Sequence, residues 1–196
     1  MIGNSKAFFL FLSLFGVVFG GTVRAESTPP QVGDVLPDFT LSVPENAEHR
    51  QYLGFADTDR FRISDLRAEV VLIEVFSMYC PHCQREAPTI NQLYRTIEES
   101  GLKERIKLIG VGAGNSSFEV GIFQEKYDVP FPLFSDEDFT IHKRLGEVRT
   151  PYFLGVRLGA GGKGEVIYAQ LGGIGEPERF LDRIVELSSL KQQGGS

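Results

Sequence analysis

The segment that most constrains this chain is Val70-Val71-Leu72-Ile73-Glu74-Val75-Phe76, followed four residues later by Cys80-Pro81-His82-Cys83. An almost unbroken run rich in β-branched side chains suits a strand buried on both faces, and such strands lie in sheets covered by helices. From Pro81 onward the apolar spacing becomes helical, with Ala87, Ile90, Leu93, Tyr94 and Ile97 on one side. Two cysteines therefore stand where a central strand hands over to a helix. Pro88 lies inside that helix and is expected to kink it.

The flanking pattern extends the same alternation. Apolar alternation begins around Phe39-Thr40-Leu41, and residues 42–60 read as a polar loop. A second strand is expected over Ile106–Val111, a polar loop over 112–116 and a helix over 117–127. Phe131–Phe134 reads as a short strand and 138–145 as a short helix. Thr150-Pro151 opens a strand over Tyr152–Arg157, and the glycine-rich turn 159–164 joins it to Val166–Leu171 as a hairpin. Pro177–Leu190 closes the pattern as an amphipathic helix, with Pro and Glu where a helix start favours them. Strands alternating with helices, then a hairpin and a helix, make an α/β sandwich with a mixed sheet.

Residues 1–25 read as an export signal: Lys6 precedes the apolar run Ala7–Gly20, and Val23-Arg24-Ala25 offers a cleavage site before Glu26. Fourteen apolar residues are short for a membrane span. The alternative is an uncleaved anchor or a buried helix; no cysteine follows the run, which argues against a lipid anchor. The expected division is signal 1–25, linker 26–31, one domain over 32–191 and a flexible tail over 192–196. Removing Lys6 and Arg24 takes the basic count from 20 to 18 against 26 acidic residues, a mature net charge of −8. That balance argues against nucleic acid as a partner. Export puts the chain outside the cytoplasm, in the periplasm or on the outer face of the membrane, where disulfide chemistry is possible.

Two cysteines cannot make a disulfide scaffold, but two separated by two residues at a helix start can form a reversible disulfide. The helix dipole and unpaired N–H groups favour a thiolate at Cys80. His82 adds a donor or a positive charge beside it. Cys80 is therefore expected to be the exposed nucleophile and Cys83 the more buried resolving thiol. A permanent Cys80–Cys83 bridge would close too small a loop to be a useful staple. A zinc site would need four ligands, and beyond the two cysteines there are only His49, His82 and His142, far apart in sequence. No metal or cofactor is expected.

These residues resemble the thioredoxin superfamily, and in particular its TlpA/ResA-like branch of exported thiol–disulfide oxidoreductases. Gly33…Pro37-Asp38-Phe39-Thr40-Leu41 resembles the opening shared by TlpA-like proteins and peroxiredoxins. Ser64-Asp65-Leu66-Arg67 resembles the lead-in to their central strand. Pro88 sits where thioredoxins kink the active-site helix, and Thr150-Pro151 matches the cis-proline loop. The resemblance implies a thioredoxin fold: a three-layer α/β/α sandwich around a mixed sheet, with an N-terminal extension and a strand–helix insert. It also implies a buried acid at Glu74 that exchanges protons with Cys83, and a substrate segment held beside the cysteines by Thr150 and Pro151.

The active-site stretch departs from that branch. Tyr79 stands where thioredoxins carry Trp, and Cys-Pro-His-Cys is similar to DsbA. Pro81-His82 should stabilise the Cys80 thiolate and raise the reduction potential. Reductase by body plan and oxidase by dipeptide are both open. The resemblance implies protein thiols and disulfides as substrates, apocytochrome c among the candidates, and a membrane thiol–disulfide electron donor. A copper-handling module using Cys80, Cys83 and His142 is a second class; a peroxiredoxin is a third, lacking its P-x-x-x-T-x-x-C motif.

Other signals read as bland. Gly110-Val111-Gly112-Ala113-Gly114 is expected to be a flexible strand-to-helix loop rather than a dinucleotide site. Gly162-Lys163-Gly164 is expected to be a hairpin turn, and His142 a surface or packing residue. Phe118, Phe123, Tyr127, Phe131 and Phe134 are expected to be core.

Overall fold

The structure, a computed structural model, describes residues 28–55, 58–159 and 163–190. The expected signal, the 192–196 tail and the middle of the 159–164 turn lie outside the described residues. In chain order the elements are β1 (Thr40–Ser42), α1 (Ala47–Leu53), β2 (Arg60–Arg62), a 3-10 turn at Ile63–Asp65, β3 (Val70–Phe76), α2 (Pro81–Glu99), β4 (Ile106–Ala113), α3 (Ser117–Lys126), β5 (Leu133–Asp136), α4 (Thr140–Arg144), β6 (Tyr152–Leu158), β7 (Gly164–Leu171) and α5 (Pro177–Ser188).

β3 is buried at every position, as its apolar run requires. It is the middle of a five-stranded sheet in the order β5-β4-β3-β6-β7. β4 and β5 run parallel to it, while β6 and β7 are antiparallel. Side-chain alternation along β3 assigns the layers. Glu74 and Phe76 share one face: the Phe76 ring meets Phe123 of α3, and Phe153, paired with Glu74, meets Phe180 of α5. α2 lies between them, packed on α5 and bonded through Asn91 Nδ2 to the Tyr127 carbonyl at 2.8 Å. The opposite face is covered more thinly. There Phe134, paired with Val111, meets Phe61 of β2, and Ile141 of α4 is buried.

Three expectations change. Residues 42–60 are not simply loop: Asn46 caps α1, its side chain accepting the His49 N–H at 3.0 Å, and β2 pairs with β1. α1 sends Tyr52 to the sheet, where its hydroxyl accepts the Leu108 N–H at 2.7 Å, below the stretch of β4 that β5 pairs. The glycines after Ile109 are strand, not loop. β4 continues to Ala113, and a side chain at Gly110 would run into Leu133. Phe118 is 77% exposed, whereas Phe123, Phe131 and Phe134 are core and Tyr127 packs against it. α2 continues through Pro88. The stretch expected to be a strand–helix insert, between β4 and Thr150-Pro151, holds α3, β5 and α4.

Candidate active site

Cys80 is the N-cap of α2, in extended conformation, and its Sγ accepts the Cys83 N–H at 3.4 Å. Pro81 occupies the first turn, where a missing N–H costs nothing. The loop between β3 and α2 is held from three sides. The Cys80 N–H donates to the Ser77 carbonyl at 3.0 Å. Gln84 Nε2 donates to the Met78 carbonyl at 2.7 Å, and the Met78 N–H donates to Asn115 Oδ1 at 2.8 Å. Asn115 is fully buried and was not legible as a site residue; nothing in its local sequence signals a contact with a residue 37 positions away.

Thr150 and Pro151 face this corner from the start of β6. Their peptide bond is cis, and the Cys80 thiol donates to the Thr150 carbonyl at 3.3 Å. Partial burial pushes the Cys80 thiol up. Hydrogen bonds from the Thr150 side chain and from the Cys83 and His82 N–H groups outweigh it, so its pKa lies below the ordinary value. His82 thus reaches Cys80 through its backbone. Its ring Nδ1 accepts from the Arg85 guanidinium at 2.9 Å.

Cys83 is the opposite case. It has no exposure, and burial pushes its thiol far up, with the Glu74 carboxylate adding to the effect. Both cysteines are free thiols. Glu74 sits in mid-strand between Gly110 and Phe153, 3% exposed. Its Oε1 has no hydrogen-bond partner among the described residues. Burial, then the charges of Glu86 and Cys80, push its carboxyl up to about 8. It is not a strand-end charge reaching water. Glu86, one turn beyond Cys83, accepts the Ile174 N–H at 2.9 Å and was not singled out by sequence.

The rim is aromatic. Tyr79 is 67% exposed and its hydroxyl donates to Glu119, whose carboxylate also accepts the Ser116 N–H at 2.8 Å. Tyr79, Gly114, Phe139, Val148 and Thr150 line a shallow groove of about 460 Å³. His142 lines it too, but its Nε2 is bonded to the Val148 carbonyl at 2.8 Å. Among the described residues no three His, Cys, Asp or Glu side chains gather to hold a metal ion, so the structure does not bring Cys80, Cys83 and His142 together as one.

The model of the AhpC/TSA family matches residues 32–171. The thiol-disulfide oxidoreductase ResA of Geobacillus thermodenitrificans is 28% identical over 137 residues, 70% of each chain. ResA of Halalkalibacterium halodurans is 23% identical over 189 residues, 93% of this chain and 95% of that one. A crystal structure of a putative thiol:disulfide interchange protein DsbE from Chlorobium tepidum superposes with a TM-score of 0.60, at 18% identity, covering 81% of this chain and 99% of that one. StoA from Bacillus subtilis gives a TM-score of 0.54 at 18% identity, covering 79% and 98%. At these identities the two structures speak for the shared thioredoxin-type architecture, with its central mixed sheet.

Proposed function

The chain belongs to the AhpC/TSA family, and from that premise we propose that it is a thiol–disulfide oxidoreductase working as a ResA-like reductase of protein disulfides. The observation that carries this reading is the asymmetry of the pair: Cys80 only partly buried with a lowered pKa, Cys83 fully buried with a raised one. A thiolate at the surface attacks; a protonated thiol beneath it waits.

The Cys80 thiolate attacks one sulfur of a substrate disulfide and expels the other as a thiolate. Cys83 then gives its proton to the Glu74 carboxylate and attacks Cys80, releasing the second substrate thiolate. The substrate gains two electrons and the enzyme is left with a Cys80–Cys83 disulfide. A carboxyl with a pKa of about 8 is well placed to trade protons near neutrality. The rim of Tyr79, Phe139 and Thr150 receives the substrate segment, Pro151 shapes the loop that presents Thr150, and Pro81 and the His82 N–H support the Cys80 thiolate.

The resetting electrons come from a membrane thiol–disulfide donor, and the substrates are protein disulfides, with apocytochrome c one candidate. Residues 1–25 act as the export signal, the folded domain spans 32–191, and the protein works in the periplasm. No helix among the described residues is long and apolar enough to cross a membrane. The relatives favour neither a thiol oxidase nor a copper-binding module. The test is insulin reduction with dithiothreitol as donor, alongside the reduction potential of the pair. Catalysed reduction lost in Cys80→Ser supports the reading; a purified protein that oxidises reduced substrates but never reduces insulin overturns it.

A further inference from the structure

We propose that His142 is a positioning residue for the exchange reaction, fixing the loop that carries Thr150 against Cys80. The proposal rests on the reading of Cys80 as the nucleophile. Three bonds carry it. The His142 N–H donates to Asp136 Oδ2 at 2.7 Å, and the same buried carboxylate accepts the Ile141 N–H at 2.8 Å. The His142 carbonyl accepts the Glu147 N–H at 3.0 Å. Its ring Nε2 meets the Val148 carbonyl at 2.8 Å.

A carbonyl only accepts, so Nε2 carries the proton and Nδ1 is bare in the neutral ring. Nδ1 is buried with no partner among the described residues, and the ring meets that of Phe139 edge to face, with centroids 5.6 Å apart. Burying a bare ring nitrogen is unfavourable, which makes this a costly side chain for mere packing. One residue thus grips Glu147 with its backbone and Val148 with its ring. Only Arg149 separates Val148 from Thr150, whose carbonyl accepts from Cys80 at 3.3 Å.

The loop needs such a clamp. Gly146 and Glu147 both have positive φ, so the chain turns sharply as it leaves α4. Asp136 ends β5, which pairs with β4 as far as Ala113. The sequence Asp136, His142, Val148, Thr150, Cys80 therefore ties the reacting sulfur to the edge of the sheet. Withdrawing the ring's donor frees Val148, and the Thr150 side-chain hydrogen bond that favours the Cys80 thiolate loosens with it.

The test uses the full-length protein with His142→Leu, His142→Gln and His142→Asn. Gln can place an amide N–H near the position of Nε2; Asn is too short and Leu has no donor. The readout is the pH dependence of Cys80 alkylation without substrate, so a change in the groove lining does not enter. Stability is measured in parallel by urea unfolding. In Leu and Asn the alkylation rate below the Cys80 pKa should fall about threefold, equivalent to half a pKa unit, with Gln restoring it. If Leu does not fold, the Gln-against-Asn comparison decides. An alkylation profile unchanged in every folded variant, even with lowered stability, overturns the proposal and leaves His142 a structural side chain. Alkylation that survives Cys80→Ser, with the wild-type adduct on Cys83, would instead sink the assignment of Cys80.

Discussion

The rim and the floor of the cysteine corner differ in how each treats charge. At the rim Cys80 meets two backbone N–H groups and the Thr150 side chain, and its thiolate is favoured. On the floor, less than one helical turn away, Cys83 and Glu74 are buried and both hold their protons more tightly than usual. The same helix start supplies both environments. Its first turn has unpaired N–H groups to offer a sulfur at the N-cap, and its inward face is pressed on the sheet. What differs is access to donors and to water, and the difference lets two identical side chains take successive steps.

The largest effect should come from removing one member of the pair. Cys80→Ser should reduce insulin reduction to background, because nothing at the rim replaces the thiolate. Cys83→Ser should leave a substrate disulfide trapped on Cys80, visible by mass spectrometry. An adduct found on Cys83 in the Cys80 variant, and none on Cys80 in the reciprocal one, would reverse the contrast.

Glu74→Gln tests the floor. A carboxyl raised to about 8 in the fold, against 4.5 for the ordinary group, makes folding take up a proton between those values. Its contribution is fully present below pH 4.5 and is lost as pH rises toward 8. The slope from this one group is up to about 1.4 kcal/mol per pH unit. Urea midpoints of wild type should fall over that window and the Gln variant should flatten the fall. Turnover should slow at the step that takes the proton from Cys83, with Cys80 alkylation little changed. If pH dependence, turnover and alkylation all match wild type, Glu74 takes no part in proton transfer.

A smaller effect is expected at the rim itself. Pro81→Gly with His82→Pro removes the N–H of residue 82 that supports the thiolate. Losing one charge-assisted bond should lower the reduction potential by about 30 to 60 mV, toward a more reducing pair. A potential that does not move would show that the dipeptide has no such influence in this scaffold. Thr150→Val takes away the hydroxyl and keeps the carbonyl. Cys80 alkylation near pH 7 should slow about threefold, half a pKa unit. Tyr79→Phe should do least: its bond to Glu119 is at the surface, and insulin reduction should stay within about twofold of wild type. A larger loss would move Tyr79 from the edge of the groove into the reaction.

Much of this was written locally. The β3 run, the change to helical spacing at Pro81 and the cysteine pair at that junction are patterns of a few residues, and chain geometry obliges them to form where they do. Cys80 as N-cap and Cys83 as the buried member follow from the same short stretch. The structure also places Thr150-Pro151 against Cys80, which the residues alone did not require; the family resemblance supplied it. Other features depended on which distant surfaces pack together. α1 and β2 lie in a stretch too polar and too short to show a period, and their place depends on Tyr52 reaching Leu108 and Phe61 reaching Phe134. Phe118 and Phe123 look alike in sequence, yet one faces water and the other Phe76. Asn115 joins Met78 across 37 residues, and Thr150 joins Cys80 across 70. Local pattern decides which way a side chain points from its own element. Only the assembled layers decide whether water, a carbonyl or a second carboxyl stands there, and so whether Glu74 is a surface charge or a buried acid.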